Sequence, residues 1–542
     1  IGVRLVGSEM CIRDRCSPAQ CMRTSTLLCG LLLVPVAVVA YAACVLAFMW
    51  MRWATWLRDV PGPPRGPLVL GQIRTLLRHD LVKVCRAWSE TYGGMVRVPA
   101  MLGVRISCAP WLTAQEPRLL ITDPVALDHV LRKHAYNYPK VRMARRVLCG
   151  IMGDGLISAE GDVHRRQRRA VQPGFSARSV RQLSLVFDAH ARELVAHLTQ
   201  LACDGEALAD IYTPINNATL DALGEAAIGI HFRALACVRA DTKGGATPTH
   251  PLTRAFNRAL EVMTTPSATA VFFDTAMLYM PILERVPIGI ASPKVRNASR
   301  VLFNVAKDIV DEAKQHQCAS GNERPDILAS MLRANANLAA ASPGGNTPHK
   351  RRSLLDRTTL SDRELCAQVS TFIFAGHETT ATQITWLLLT LARDPARQAK
   401  LRAAVRAKRI ELGLHAVPTD DADDAQSREL TIDELDSITY LDWCVRESLR
   451  HHGSVHTTSR TVEKPDVIPT SDGRQIPVPK GMLVLVPIAA IARDARLWGA
   501  NPDDFVPERW SKPLRGSKVF PGVGGISFLM GPRACASSTC AC

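Results

Sequence analysis

The sequence predicts a mainly α-helical fold with a small β portion, preceded by one N-terminal membrane helix. A long helical pattern begins at the capping box Ser361-Asp-Arg-Glu364, in which the two side chains satisfy free backbone amides reciprocally. Runs typical of strands are short and few, near Met95–Val98, Arg118–Ile121 and Met482–Val486. The membrane helix is indicated by a long apolar run near the start of the chain.

That apolar run, residues 24–51, contains no charged side chain and exceeds the roughly 20 residues that cross a bilayer core. Trp50, Trp53 and Trp56 at its end suit the interfacial aromatic belt. A cleaved signal peptide is the alternative, but the run is too long for one. Arginines concentrate after the run, which places the large C-terminal part in the cytosol.

Composition excludes several classes of protein. The 542 residues include 66 Lys and Arg against 50 Asp and Glu, a net charge of +16 that favours anionic membranes or acidic partner proteins. Nucleic acid is not predicted as a partner, because no basic block is interleaved with aromatics, which make up only 5%. The 16 cysteines are irregularly spaced and form no C-x-x-C pair, so neither a zinc module nor a disulfide scaffold is indicated.

The long helix contains Phe374-Ala-Gly-His-Glu-Thr-Thr-Ala381. Ala375 and Gly376 are four and three residues before Thr379, so all three lie on one face of the helix. A small pair one turn before a hydroxyl is unusual for a core helix, because a mid-helix glycine costs about 1 kcal/mol. The alternative is a tolerated glycine beside surface Glu and Thr side chains.

Near the end of the sequence lies Phe528-Leu-Met-Gly531-Pro-Arg533-Ala-Cys535-Ala-Ser537. A cysteine framed by a turn glycine and a fixed arginine suits a haem-thiolate site, which needs a thiolate on the iron, amides near the sulfur and a cation for a propionate. A buried or disulfide-bonded cysteine is the alternative for the run taken alone.

Two further motifs accompany these. Glu447 and Arg450 form an i,i+3 pair, and Arg509 follows in Pro507-Glu-Arg509-Trp. His164 and Arg168 are i,i+4 and therefore lie on one helix face. Each pattern by itself is common surface decoration.

Together the four motifs resemble those of the cytochrome P-450 superfamily, over about Val60 to Cys535. The cysteine run matches the pattern Phe-x-x-Gly-x-Arg-x-Cys-x-Gly at every position but the last, where Ser537 stands. The resemblance implies that Cys535 is the axial ligand of the haem iron, that Thr379 hydrogen-bonds dioxygen and that Glu378 belongs to a proton relay. The residues implied to contact the haem are His164, Arg168, Ala375, Gly376, Arg460, Phe528, Gly531 and Arg533. Glu447, Arg450 and Arg509 are implied to hold the core behind it.

The function implied by the resemblance is a membrane-anchored haem-thiolate monooxygenase. It would use haem b, dioxygen as co-substrate and electrons from NADPH through a flavoprotein reductase, and act on an apolar small molecule. The expected location is the endoplasmic reticulum membrane, single-pass in membrane lipid, with the catalytic domain cytosolic. Residues 136–152 and 260–290 are expected to shape the substrate pocket.

The expected domains are an artefactual or disordered leader (1–21), a membrane anchor (22–56), a proline-rich hinge (57–67) and a haem-thiolate catalytic domain lacking its C-terminal end (68–542). Two alternatives stay open. A haem-thiolate isomerase or dehydratase would use the same scaffold, although the Gly376-x-Glu378-Thr379 pattern argues against it. The other alternative is a non-enzymatic membrane protein without haem. The family places a helix after the cysteine, and because the predicted catalytic domain lacks that helix, we expect the given sequence to bind haem weakly or not at all.

Overall fold

The computed structural model describes residues 57, 59–64, 72–102, 115–203, 210–236, 293–319, 326–341, 359–417 and 425–538. The predicted leader, the predicted anchor and the second pocket segment, 260–290, lie outside these ranges. None of the helices within the ranges is both long and apolar enough to cross a membrane.

The described residues are mainly helical, as predicted, with two small sheets. The α-helices are α1 Ile73–Arg78, α2 Leu81–Tyr92, α3 Pro124–Asp128, α4 Arg142–Met152, α5 Gly161–Val171, α6 Ala177–Gln182, α7 Ser184–Cys203, α8 Tyr212–Leu223, α9 Pro293–Ala319, α10 Ile327–Ala341, α11 Asp362–Ala392, α12 Pro395–Glu411, α13 Ile432–Asp436, α14 Thr439–His451, α15 Ile488–Ile491, α16 Ala495–Trp498 and α17 Arg515–Val519. The strands are β1 Met95–Leu102, β2 Gln115–Ile121, β3 Thr458–Thr461, β4 Asp466–Pro469, β5 Gln475–Val478 and β6 Leu483–Val486.

The larger sheet has the strand order β1-β2-β6-β3. Strands β1 and β2 are antiparallel, β2 and β6 are parallel, and β3 is antiparallel to β6, with Arg460 opposite Val484. The three predicted strands correspond to β1, β2 and β6. Strands β3, β4 and β5 were not predicted, because each has only four residues and mixes polar with apolar side chains.

Helix α11 carries one of two main cores. Its capping box forms as predicted, with Ser361 Oγ accepting from the Glu364 amide and Glu364 accepting from the Ser361 amide. The first half of the helix is buried, and Phe372 packs edge-on against Phe175 with ring centroids 5.6 Å apart. Helices α8 and α9 pack on α11 and close this core.

The second core lies between the larger sheet, the segment 129–138 and the residues before the cysteine run. Leu57 and Val60, from the predicted hinge, are buried in it, and the Arg97 amide donates a 2.9 Å hydrogen bond to the Pro61 carbonyl. The described part of the hinge segment therefore packs along β1 and does not stand free.

The stretch from Asn335 to Arg357 contains Ser-Pro-Gly-Gly and Lys350-Arg351-Arg352, a composition typical of an exposed basic loop. Its first residues, up to Ala341, belong instead to α10. The reason is composition: this stretch is rich in alanine, the strongest helix former. The Asn335 side chain accepts from the Leu360 amide at 2.6 Å and so ties the middle of α10 to the residues just before α11.

Candidate active site

The cysteine loop, residues 528–537, is held by its own backbone. The Cys535 amide donates to the Phe528 carbonyl, and the Ala534 amide donates to the Gly531 carbonyl, each at 3.0 Å. Cys535 is exposed, and its Sγ lies 3.2 Å from Ser537 Oγ. The loop thus presents a thiol at the protein surface, with the hydroxyl of Ser537 in hydrogen-bonding range of the sulfur.

Gly531 is required by two features of this loop. Its φ of +76° is in the left-handed region that favours glycine. A Cβ atom at this position would lie 2.3 Å from the Leu131 carbonyl oxygen, so a side chain would push the loop off the turn beside it. The glycine therefore sets how closely the cysteine loop approaches residues 129–133.

A cluster of buried cations lies behind the loop. Arg533 pairs with Glu160 and donates from Nε to the Ala135 carbonyl at 3.3 Å. Lys140 Nζ is 3.8 Å from the same carboxylate, and Arg460 is also buried nearby. Burial, with Arg533 as a further cause, lowers the pKa of Arg460 to about 10, and burial lowers that of Lys140 to about 8. One carboxylate thus faces three basic side chains.

The cluster also contains an unsatisfied donor. Arg533 Nη1 is buried without a hydrogen-bond partner among the described residues. An unpaired charged donor in a protein interior is costly, so a ligand carboxylate at this point would be bound favourably.

Helix α5 supplies the fourth side of the cluster. His164 is buried, and a 3.2 Å hydrogen bond joins its Nδ1 to the Tyr136 hydroxyl. Burial, followed by the charge of Arg533, lowers the pKa of His164 to about 3, so the imidazole is neutral. Arg168 donates from Nη1 to the Ala534 carbonyl at 2.7 Å, so α5 holds the cysteine loop directly.

On α11, Ala375 and Thr379 are exposed one turn apart, and Thr379 Oγ1 donates to the Ala375 carbonyl at 2.7 Å. Glu378 is half-buried beside them. Gly376 faces another way: a Cβ atom there would lie 2.8 Å from Leu223 Cδ1. Its small size therefore lets α8 pack closely against α11.

Comparison with known proteins identifies the family that combines these features. The family model for Cytochrome P450 matches residues 60–537. The chain belongs to the cytochrome P450 family. Cytochrome P450 monooxygenase 205 of Postia placenta is 30% identical over 501 residues, which cover 88% of this chain and 82% of the relative. Ganoderic acid synthetase of Ganoderma lucidum is 27% identical over 541 residues, covering 93% and 88%. The chain is thus a P450 monooxygenase by family.

The residues of this P450 fit a haem. The exposed thiol of Cys535 can ligate iron, and the buried cations around Arg533, with its unpaired Nη1, suit the two carboxylates of a haem b. Of the predicted propionate contacts, Arg460, Arg533 and His164 lie in this cluster. Arg168 borders it, with one guanidinium nitrogen occupied by the cysteine loop.

The predicted structural trio of the P450, Glu447, Arg450 and Arg509, comes together at the C-terminal end of α14. Arg450 donates to Glu447 at 2.9 and 2.7 Å, and Arg509 donates from Nε at 3.3 Å. The Val506 amide and Trp510 Nε1 also donate to this carboxylate, each at 3.0 Å. Burial by itself would raise the pKa of Glu447. The hydrogen bonds and charge of Arg450, followed by the Val506 amide and Arg509, outweigh burial and leave that pKa below its ordinary value. Every oxygen of a fully buried carboxylate is thus satisfied.

The sequence motifs did not assign Tyr136, Lys140 or Glu160 to the cation cluster, although Tyr136 and Lys140 lie in the predicted pocket segment 136–152. They lie in the connections before α4 and α5 and belong to none of the recognised motifs. Glu160 immediately precedes α5, the helix that carries His164 and Arg168, and this is the one signal that could have drawn attention to it.

Proposed function

We propose that this P450 inserts one atom of dioxygen into an apolar small molecule and releases the other as water, with two electrons from NADPH delivered by a flavoprotein reductase. The observation that carries the proposal is the exposed face of α11, where Ala375 leaves space and Thr379 presents a fixed hydroxyl. When bound, the haem would supply thiolate-ligated iron chemistry that favours O–O cleavage.

Thr379 is suited to orienting oxygen and its protons. Because its proton is donated to the Ala375 carbonyl, the hydroxyl oxygen keeps lone pairs that can accept from water. Glu378, the residue before Thr379, is half-buried, so part of its side chain is open to solvent. A carboxylate in that position can pass protons from bulk water toward Thr379.

An apolar substrate is supported by the side chains near this face. Phe374, next to Ala375, packs against a small apolar core formed by Ile151 and Met152 of α4 with Val295 and Ala298 of α9. These residues include the end of the first predicted pocket segment, 136–152. Apolar walls with few polar groups bind apolar ligands and exclude water from the reacting centre.

Membrane attachment is part of the same proposal. The charge-free run 24–51 and the net charge of +16 support a single-pass anchor in the endoplasmic reticulum membrane, with the catalytic domain cytosolic. Deleting residues 1–56 should release most of the protein from microsomes. Unchanged sedimentation of that variant with membranes would contradict the anchor.

The reaction is tested with the purified chain, a P450 reductase, NADPH and a panel of apolar compounds under ¹⁸O₂. Incorporation of one labelled oxygen atom per product molecule supports the proposal. Product that forms equally without dioxygen and NADPH would favour the isomerase or dehydratase alternative. Product that carries only unlabelled oxygen, taken from water, would contradict oxygen insertion.

A further inference from the structure

A second group of potential ligands lies away from the α11 face, where the chain makes one turn of π-helix. Residues 129–133 form this turn, and the His134 amide donates to the His129 carbonyl at 2.8 Å. In an α-helix, residues five apart point about 140° away from each other. The wider π turn instead stacks the two imidazoles, with ring centroids 4.0 Å apart and planes 18° apart.

Both imidazoles face one carboxylate. Asp466, the first residue of β4, places Oδ2 3.0 Å from His129 Nε2 and 3.4 Å from His134 Nδ1. Ligand atoms bound to one tetrahedral zinc at about 2.0–2.1 Å are about 3.3 Å apart. Within the described part of the chain, this is the group in which three such ligand atoms come within 4.8 Å of one another.

We infer that His129, His134 and Asp466 form a binding site for a divalent transition-metal ion of the zinc type. Two imidazole nitrogens and one carboxylate oxygen are a ligand set that zinc uses, with water completing the tetrahedron. The His134 side chain is 48% exposed, which provides an entry path and lets its ring tilt so that both lone pairs meet the ion. His129 and Asp466 are nearly buried, at 10% and 15% exposure, and are already fixed.

The carboxylate is oriented by neighbours that would remain when metal binds. The Tyr138 hydroxyl donates to Asp466 Oδ2 at 2.9 Å, and Asn137 Nδ2 donates to it at 3.3 Å. Such outer hydrogen bonds align metal ligands and strengthen binding. Metal would replace the direct contact between His129 and Asp466 and displace any proton held on His129 Nε2.

The site connects the β4–β5 hairpin to the turn that supports the cysteine loop. Asp466 belongs to the β4–β5 hairpin, and the histidines belong to the turn whose Leu131 carbonyl abuts Gly531. A metal ion would therefore link the hairpin to the turn on which the cysteine loop rests. This role is separate from oxygen chemistry, because none of the three ligands belongs to the thiolate loop or to α11.

Zinc titration of the haem-loaded full chain by calorimetry tests the inference. We expect one site per chain whose affinity falls at least about tenfold in His134→Ala, an exposed position where the change should not disturb folding. His79→Ala, at another exposed histidine, is the matched control and should bind zinc like the unaltered protein. Zinc affinity that is equal in all three proteins would overturn the inference.

A second measurement separates this site from the cysteines. Asp466→Asn keeps the size of the side chain but removes the charge, and should also weaken zinc binding. X-ray absorption at the zinc edge should show nitrogen and oxygen neighbours at about 2.0 Å and no sulfur at about 2.3 Å. Sulfur neighbours, or full binding by Asp466→Asn, would place the ion elsewhere and overturn the inference.

Discussion

Arg168 and Ala534 are joined by a 2.7 Å hydrogen bond, from Nη1 of the guanidinium to the carbonyl oxygen of the residue before Cys535. Helix α5 thus fixes the cysteine loop from one side, while the turn at Leu131 fixes it from the other. Both supports come from segments more than 300 residues earlier in the chain. The position of the thiol is therefore a property of the whole fold.

Replacing Cys535 by alanine should abolish the thiolate-type absorption of the reduced, carbon monoxide-treated protein. Cys535 is the cysteine that the 528–537 loop places at the surface, and alanine cannot ligate iron. Cys203→Ala, at another exposed cysteine, should leave the spectrum unchanged. A thiolate spectrum that survives in Cys535→Ala would assign the ligand to a different residue.

Gly531→Ala should destabilise the protein more than Gly473→Ala does. Both glycines have positive φ, +76° and +84°, so each substitution strains the backbone by about 1–2 kcal/mol. Only Gly531 also lacks room for a Cβ, since Gly473 has nothing within 4 Å of that position. Chemical denaturation and haem content measure the difference, and equal losses in the two variants would contradict the close approach to Leu131.

Arg450→Met should lower the free energy of unfolding by about 3–5 kcal/mol, because it leaves Glu447 buried without its main partner. The exposed pair Arg181–Asp433 provides the control, and Arg181→Met should have little effect. Urea denaturation of both variants checks this. Equal stabilities of the two variants would show that Glu447 is satisfied without Arg450.

Thr379→Ala should leave haem binding intact and reduce the product formed per NADPH. Removing a group that acts in proton transfer usually lowers the reaction rate by a factor of about 10²–10⁴. We expect a factor near the lower end of this range, because Thr379 orients protons and does not itself ionise. Thr390→Ala is the matched control, since Thr390 is a half-buried residue of α11 whose hydroxyl makes the same hydrogen bond one turn back, to the Trp386 carbonyl. Unchanged coupling in Thr379→Ala would argue against oxygen activation on this face.

Lys140 predicts a pH dependence of stability in the haem-free protein. Burial lowers its pKa in the folded state to about 8, below the ordinary value of 10.5. Between these two pH values the unfolded chain holds the proton and the folded chain does not, so stability should rise with pH in this window. This rise in stability should be absent in Lys140→Met. Comparing the variant with the unaltered protein cancels the contributions of the other titratable groups. Identical pH profiles for the two proteins would contradict the lowered pKa.

Local patterns in the sequence were enough to predict the long helix α11 and three of the four strands of the larger sheet. The capping box at Ser361 appears as predicted, and Asp394 caps the helix that begins at Pro395 in the same local way, because a helix start depends mainly on neighbouring residues. The charge balance of the Glu447 group was also foreseeable, since a buried carboxylate requires cations.

Only the tertiary structure decided which distant groups meet. Tyr136, Lys140 and Glu160 join the cation cluster through loop positions that no local pattern encodes. The missing side chain of Gly376, which the family resemblance places at the haem, also admits Leu223 of α8, a contact between helices more than 100 residues apart in the chain. The stacked His129 and His134 depend on a π turn, which their spacing alone does not predict. Helix caps and periodicity are short-range effects, whereas packing and charge clusters are fixed only when the whole chain folds.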